Sequence, residues 1–391
     1  MFSALLRDVP PSQHDEFISL GDTGYRIART HLLDELRLVD ALHHLERNSA
    51  PIILPDDFVE RRRNGFIQNK KTKMDSDDLA EQLQVVFDEF PEHNALTIVT
   101  GPPGAAKTSV TALYINLVSE IFPAMPMILI TRERPALHRL QEKMHLADPV
   151  ILTLAESLRD DITFPEGACL ILDEASLCGT HDMAVLLEKA AIAKTRRVLL
   201  IGDDKQLFPS DVGQPFRWLR ENNKGRVITV TRSFRQKTKE LCHIVESLHK
   251  GETRDALSEM NVNFIARDNL VKSLRQILDH KAPEKTLIIV HGDTALIERL
   301  RILCPGFRIY SLGASQGLAI DDIIFIIAAP INLSELLVGC SRQRFVLDVL
   351  VDNTIYADKE QMAAKIGDYP RSLMALDIIS EEELRALNCV N

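Results

Sequence analysis

No apolar run reaches the roughly 18 residues that a membrane-crossing helix requires, which argues against a membrane partner. The first residues, Met1-Phe2-Ser3-Ala4-Leu5-Leu6-Arg7, run into polar sequence without a secretory hydrophobic region or cleavage site, so a cytoplasmic protein is expected. Cysteine is sparse and scattered: Cys169, Cys178, Cys242, Cys304, Cys340 and Cys389 contain no Cys-x-x-Cys pair and no accompanying histidine spacing. Neither zinc nor a disulfide framework is indicated. A basic excess is also lacking, since 46 Lys and Arg face 56 Asp and Glu for a net charge of −10. That balance argues against a surface coated for indiscriminate nucleic-acid binding but does not exclude a local basic channel. Internal repeats, low-complexity tracts and heptad arrays are absent as well. What remains is 391 residues at 45% hydrophobic content, too long for one ordinary core.

The most informative segment is Gly101-Pro102-Pro103-Gly104-Ala105-Ala106-Lys107-Thr108, which follows the apolar run Leu96–Thr100 and opens a helix-like stretch. Strand, glycine-rich loop and helix in that order cradle nucleotide phosphates. Backbone N–H groups and a helix N-terminus surround the anionic oxygens, a lysine reaches the β- and γ-phosphates, and a hydroxyl ligates Mg²⁺. Lys107 and Thr108 fill the last two roles, and ATP or another nucleoside triphosphate with Mg²⁺ is the expected ligand set. Ala106 stands where such loops usually carry glycine, so a positive φ there would strain its Cβ. Similar alanine-containing loops occur in MCM replicative helicases and MoxR-type ATPases.

Between Ala28 and Arg47, Leu32, Leu33, Leu36, Val39, Leu42 and Leu45 recur at helical spacing and predict an amphipathic helix. Beyond Pro51 and Pro55 lies a basic stretch, Arg61-Arg62-Arg63 to Lys70, Lys71 and Lys73, interleaved with Phe58 and Phe66. It reads either as a solvated face or as a grip on phosphates with an aromatic stacked on a base. From Asp78 onward short apolar runs alternate with helical segments, the pattern of parallel sheets covered on both faces. Strands are predicted at Leu96 to Thr100, Met127 to Thr131, Val150 to Leu154, Cys169 to Leu172 and Val198 to Ile201. A second series follows at Val227 to Val230, Thr286 to Val290, Arg308 to Leu312, Ile323 to Ile327 and Phe345 to Val351. The expected architecture is α/β: an N-terminal accessory region 1–75, a first domain 76–204, a second 205–352 and a C-terminal tail 353–391.

Cys169-Leu170-Ile171-Leu172-Asp173-Glu174 is an apolar strand ending in two acids, placed where open α/β sheets bind ligands. Asp173 is the candidate Mg²⁺ ligand and Glu174 the candidate base for an attacking water, although the pair also suits a strand-to-helix cap. With Ala175-Ser176 and the later Ile201-Gly202-Asp203-Asp204-Lys205-Gln206-Leu207, the pattern resembles motifs II and III of superfamily 1 helicases. The likeness is to the RecD-like, nonsense-mediated-decay-like and RNA-virus branches, and it extends from about Leu79 to Val351.

That resemblance implies two tandem RecA-like P-loop domains and assigns roles by position. Gln206 would sense the γ-phosphate, and Gln82, with Gln84 as competitor, would hydrogen-bond adenine. Thr131 in Ile128-Leu129-Ile130-Thr131-Arg132 and Thr153 in Leu152-Thr153-Leu154 would contact a nucleic-acid strand. In Thr231-Arg232-Ser233-Phe234-Arg235, Phe234 would stack on the base and Arg235 would act as an arginine finger. Ala314-Ser315-Gln316-Gly317 resembles motif V, giving Ser315 a nucleic-acid role and Gly317 a nucleotide role. Ala319 stands where one branch has a ribose-binding glutamate. Arg342 in Gly339-Cys340-Ser341-Arg342-Gln343-Arg344 matches the motif VI arginine, with Arg344 its rival. The implied activity is ATP-dependent translocation on single-stranded RNA or DNA with duplex unwinding, and the compact size and viral-type motifs suggest, by analogy, a viral or mobile-element replication protein. Two alternatives stay open: a nucleic-acid-stimulated NTPase that remodels a complex, and a nucleotide-switched interaction protein. Replication-protein partners would bind through the N-terminal region or the tail.

Overall fold

A computed structural model describes residues 17–19, 26–48, 55–58, 60–62, 64, 95–132, 134, 141, 144, 146, 148–209, 211–231, 233, 235–315, 318–367, 369 and 374–379. A short antiparallel pair, β1 (Phe17–Ser19) and β2 (Arg26–Ala28), leads into helix α1 (Arg29–Asn48). The first lobe follows, with strands β3 (Leu96–Thr100), β4 (Met127–Thr131), β5 (Val150–Thr153), β6 (Cys169–Leu172), β7 (Arg197–Ile201) and β8 (Arg226–Thr229). Its helices are α2 (Lys107–Ile121), α3 (Leu154–Ser157), α4 (Thr180–Ile192) and α5 (Pro215–Glu221). All six strands are parallel, in the order β5-β4-β6-β7-β3-β8. β3, β4, β6 and β7 are buried along their whole length, which explains why they read as unbroken apolar runs rather than as alternation.

The second lobe holds α6 (Lys239–Lys250), α7 (Thr253–Glu259), β9 (Asn261–Ile265), α8 (Leu270–Leu278), β10 (Thr286–His291) and α9 (Thr294–Leu303). It continues with β11 (Arg308–Ser311), β12 (Ile320–Ile327), α10 (Leu333–Gly339), β13 (Gln343–Asp352) and α11 (Lys359–Lys365). Its sheet is also all parallel, in the order β11-β10-β12-β13-β9. Two parallel sheets flanked by helices form the tandem RecA-like architecture. Among the described residues no helix is long and apolar enough to cross a membrane.

Three expectations about organisation need correction. The run expected to begin the second domain is β8, which pairs with β3 from Thr97↔Arg226 to Thr100↔Thr229 and so closes the first sheet. Phe216, Trp218 and Leu219 of α5 lie in the same core. The division expected at 204/205 therefore moves beyond Val230. A parallel strand needs a long crossover, and residues 202–225 are that crossover rather than a linker. The N-terminal region is likewise not separate in its described part, because Leu38, Ala41, Leu42 and Leu45 of α1 are buried in the first lobe's core. Arg37 on this helix also pairs with Glu188 of α4 at 2.6 Å. Finally, β9 falls outside the predicted strands because Asn261 and Asn263 interrupt its apolar pattern.

The C-terminal segment returns from the second lobe to the first. Leu32 and Leu36 of α1 pack with Ala375 and Ile379, and Trp218 Nε1 donates to Asp377 Oδ2 at 2.8 Å. Glu35, 2% exposed, accepts from the backbone N–H groups of Ala375 (3.0 Å) and Leu376 (3.1 Å). These bonds cap the turn at 375–377 with a side chain more than 300 positions away in the chain, closing a very long loop. Glu35→Ala is expected to cost about 2 kcal/mol, because one buried and one half-buried donor lose their acceptor. Urea unfolding together with hydrogen exchange at the Ala375 and Leu376 amides checks this, and Glu35→Ala with unaltered protection there contradicts the capping role.

Candidate active site between the lobes

The glycine-rich loop joins β3 to α2 at the C-terminal edge of the first sheet. Gly101 has φ 151°, and a Cβ there would lie 2.0 Å from the Val230 carbonyl oxygen. Gly104 has φ 82°, and a Cβ there would meet the Arg235 Cβ at 2.6 Å and the Ser233 Oγ at 2.7 Å. The two glycines are thus needed both for backbone conformation and because Val230, Ser233 and Arg235 lie directly on the loop. Pro102, Pro103 and Ala105 complete its curve, with the Ala105 N–H donating to Pro102 O at 3.2 Å. Ala106 holds a left-handed conformation, φ 61° and ψ 22°, as the position demands of the usual glycine. Its carbonyl accepts the first bonds of α2, from Ser109 N (2.8 Å) and Val110 N (3.0 Å).

Lys107 folds back on the loop and donates from Nζ to Gly101 O (2.7 Å) and Pro102 O (3.1 Å). Thr108 Oγ1 donates to Asp173 Oδ2 at 3.1 Å, which brings hydroxyl and carboxylate together at the ends of α2 and β6. The Glu174 N–H donates to Asp173 Oδ1 at 3.0 Å, with Glu174 itself at φ 57°. Burial first, and then the adjoining Glu174 charge, pushes the Asp173 carboxyl up to about 6 against the bonds from Glu174 N and Thr108.

After β7 the chain turns through Gly202 into two buried acids that face opposite ways. Asp204 looks into the first lobe, where Thr100 Oγ1 donates to it at 3.3 Å and Arg217 and Arg220 pair with it at 3.4 and 2.9 Å. Asp203 faces the cleft: its Oδ2 accepts from Gln206 Nε2 at 2.9 Å, and its N–H donates to Ser176 Oγ at 3.2 Å. Burial would raise the Asp203 carboxyl, but His249, Lys107 and Gln206 together hold it well below the usual range.

The second lobe meets these groups. Arg342, 3% exposed, donates from Nη2 to Gln206 Oε1 at 3.2 Å, whereas its buried Nε–H has no acceptor among the described residues. Burial lowers its guanidinium, opposed by the charges of Glu174 and Asp203. Arg235 Nη1 donates to Ser341 O at 2.8 Å, which ties it to the residue before Arg342. Ser233 Oγ donates to Pro103 O at 2.7 Å, and Gln236 Nε2 donates to Ser341 O at 3.2 Å, so Ser233 and Gln236 bridge the glycine-rich loop and the Arg342 turn. Arg344, the rival arginine, is exposed and faces Asp321 at 3.6 Å.

Other expected site residues are less concentrated. Thr131 and Thr153 are register partners at the ends of β4 and β5. Thr131 is buried, and Thr153 caps α3, accepting from Glu156 N at 3.3 Å and donating to Glu156 Oε2 at 2.9 Å. Ser315 is fully buried and donates to Leu312 O at 2.6 Å, so its hydroxyl is turned inward rather than toward a groove. Of the basic stretch, Arg61 pairs with Asp57 at 2.9 Å and Arg62 pairs with Glu120, which matches a solvated face. Gln82, Phe234 and Gly317 lie outside the described residues. The pattern missed Ser233, Gln236 and His249, since a serine, a glutamine and a helix-end histidine carry no motif of their own.

Residues 79–268 match the family model described as an AAA domain. Over 254 residues the chain is 24% identical to the uncharacterized protein MJ1519 of Methanocaldococcus jannaschii, covering 57% of this chain and 22% of that protein. It is 30% identical over 176 residues to the ATP-dependent RecD2 DNA helicase of Deinococcus radiodurans, covering 44% of this chain and 23% of that one. The chain thus spans under a quarter of the length of these curated relatives. Among solved structures it is similar to Bacteroides Pif1 bound to single-stranded DNA, with 13% identity, a TM-score of 0.45, and coverage of 79% of this chain and 96% of that one. The arterivirus nonstructural protein 10 helicase is similar at 15% identity and a TM-score of 0.44, covering 68% and 62% of the two chains.

Two stability measurements test the local physics. A left-handed alanine costs about 1–2 kcal/mol, whereas the extra freedom of an unfolded glycine returns only about 0.4–1 kcal/mol, so Ala106→Gly is expected to stabilise the protein slightly. Ala106→Val, β-branched at positive φ, is expected to destabilise it, and the opposite order in thermal unfolding would contradict the strain. Because the Asp173 carboxyl lies above its unfolded value, the folded state bears a cost of ionisation at pH 8 that disappears below about pH 4. Asp173→Asn is accordingly expected to raise stability by about 2 kcal/mol at pH 8 and by little at pH 4, read from urea midpoints.

Proposed function

We propose that the chain is a P-loop NTPase of the superfamily 1 helicase type, which hydrolyses ATP in the cleft between its lobes and moves along single-stranded nucleic acid, unwinding RNA or DNA duplexes. The observation that carries this reading is the contact across the cleft: Arg342 of the second lobe bonds to Gln206 of the first and keeps a buried, unpartnered Nε–H. An orphaned cationic donor beside the Glu174 and Asp203 carboxylates suits an anionic ligand, because a buried donor without an acceptor is otherwise costly.

The roles follow from placement. Backbone N–H groups from Gly104 to Thr108, at the start of α2, receive the phosphates, and Lys107 exchanges its bonds to Gly101 O and Pro102 O for phosphate oxygens. The adjoining oxygens of Thr108 and Asp173 fit Mg²⁺, which takes few protein ligands when phosphates complete its shell. Bound there, Mg²⁺ would offset phosphate charge. Glu174 orients and deprotonates the attacking water, while Gln206 reads the γ-phosphate. Arg235 and Arg342 supply charge from the second lobe as negative charge develops on the transferred group. Phe234 is assigned to stacking on the base, Gln82 to hydrogen-bonding it, and Gly317 to the nucleotide side of the cleft.

Closure of the lobes would assemble this set and release would disperse it, so a strand lying across both lobes would be drawn along with each turnover. Thr131 and Thr153 mark the first lobe's end of that path. The inward hydroxyl of Ser315 makes it a support for the 312–315 turn, leaving strand contact there to other groups. Replication is the setting we infer from the RecD-like and RNA-virus resemblance, with protein partners at the α1 and C-terminal face.

Phosphate release is measured without polymer, with single-stranded RNA and with single-stranded DNA, beside strand displacement on tailed duplexes. Stimulation by one polymer with displacement is the expected result. Stimulation without displacement would instead favour a remodelling ATPase. Lys107→Ala and Glu174→Gln are each expected to abolish turnover, and Arg342→Ala to lower it about 10³-fold. Near-normal turnover in Arg342→Ala would break the assignment of that arginine.

A further inference from the structure

The second lobe grips the 203–206 loop at a point that neither arginine supplies. His249 lies in the last turn of α6, one residue before its end and two before the Gly251 cap at φ 90°. Its Nε2 is 3.2 Å from Asp203 Oδ1, and its carbonyl oxygen accepts from Lys205 Nζ at 2.6 Å. The two contacts run in opposite directions between one residue and one loop, which fixes register as well as distance. Tyr369 supports the arrangement from the returning C-terminal segment, donating from its hydroxyl to Leu248 O at 2.9 Å with its ring 5.4 Å from Lys205 Nζ.

The consequence lies in the orientation of an amide. A glutamine amide has a donor end and an acceptor end of nearly equal shape, so only its partners decide which way it points. Gln206 must turn its oxygen to Arg342, because a guanidinium has no acceptor. That orientation is enforced at the other end by Asp203, whose ionised carboxylate has only acceptors and so takes the Nε2 donor. Asp203 in turn is 1% exposed and shares its second oxygen between the Lys205 N–H at 3.1 Å and His249. Because that oxygen is an acceptor, the proton of a neutral imidazole sits on Nε2.

We propose that His249 is a positioning residue for Gln206: reaching across from the second lobe, it holds the Asp203 carboxylate so that the Gln206 amide presents oxygen to Arg342 only when the lobes are in register. The inference rests on the ATPase reading of the cleft. Lobe registration is then sensed twice, once by Arg342 directly and once through His249 and Asp203, with Gln206 receiving both. Loss of the imidazole frees the carboxylate to rotate away from the Gln206 Nε2, so the amide loses its fixed acceptor at that end and its oxygen is no longer held on Arg342.

The test is steady-state ATP hydrolysis by the full chain with saturating single-stranded nucleic acid, beside equilibrium binding of ADP. His249→Leu is expected to lower kcat about tenfold or more, the effect of losing a hydrogen bond to a charged group, while KM for ATP and ADP binding change by less than about twofold. His249→Gln, which keeps a donor on a side chain of similar reach, is expected to restore kcat to within about threefold of the parent. Unchanged kcat in His249→Leu, equal losses in the two variants, or a rise in KM with kcat preserved would each overturn the proposal. A parent protein inactive with every polymer would overturn the ATPase reading and this inference together, whereas an active parent with an equally active His249→Leu overturns the inference alone.

Discussion

A buried carboxylate at the seam between the lobes, Asp203, constrains everything near it. An ion withdrawn from water is retained only where several polar groups replace its hydration, because the desolvation penalty amounts to about several kcal/mol. Those groups come from both lobes: the Gln206 amide and Lys205 N–H from its own loop, and His249 from α6. Its N–H is tied to Ser176 just beyond the acid pair of β6. The second lobe therefore cannot slide along the first without exposing or orphaning this charge. Asp204, the next residue, is satisfied wholly within the first lobe by Thr100, Arg217 and Arg220. One acid anchors the loop to its own domain while its neighbour meets the partner domain.

The same cleft moves two carboxyls in opposite directions. Asp173 is pushed up by burial and by Glu174, whereas Asp203 is held down by His249 and Lys107 despite its burial. Groups separated in this way within one site take different chemical parts, one kept charged by fixed protein partners and the other awaiting a cation from outside. Such local fields override the chain's net charge of −10, whose exposed members are screened within about 10 Å at ordinary salt. Burial without an ion pair also occurs away from the cleft. Arg197, 1% exposed on β7, is held by Thr97 Oγ1 at 2.9 Å and by the Tyr114 hydroxyl, which joins β3, β7 and α2 beneath the loop.

Much of the scaffold was legible because its signals are local. Strands buried on both faces read as Val, Ile and Leu runs, and the bounds of β3, β4 and β6 coincide with the apolar runs that predict them. The helix predicted over Ala28 to Arg47 is α1, Arg29–Asn48. The strain expected at Ala106 also follows from local geometry, since the turn before Lys107 requires a positive φ whatever residue occupies it. Less legible was the sheet to which a strand belongs. Arg226–Thr229 looks like any short β-branched run, and only its pairing with β3 assigns it to the first lobe. Separation along the chain likewise suggested that the ends were accessories, although α1 and residues 374–379 share a cluster on the first lobe.

For the site, spacing alone marked the loop from Gly101 to Thr108 and the acids at the end of β6, because a phosphate cradle and a strand-end carboxylate are built from consecutive residues. The sequence by itself therefore determined the kind of chemistry available, the α/β class and the presence of two sheets. Which distant residues share the cleft was decided only by the tertiary structure: Arg342 on Gln206, Arg235 beside Ser341, and His249 on Asp203. The physical reason is that periodicity and turn propensity are set by near neighbours in the chain, whereas the pairing of buried charges depends on where two separately folded sheets come to rest against each other.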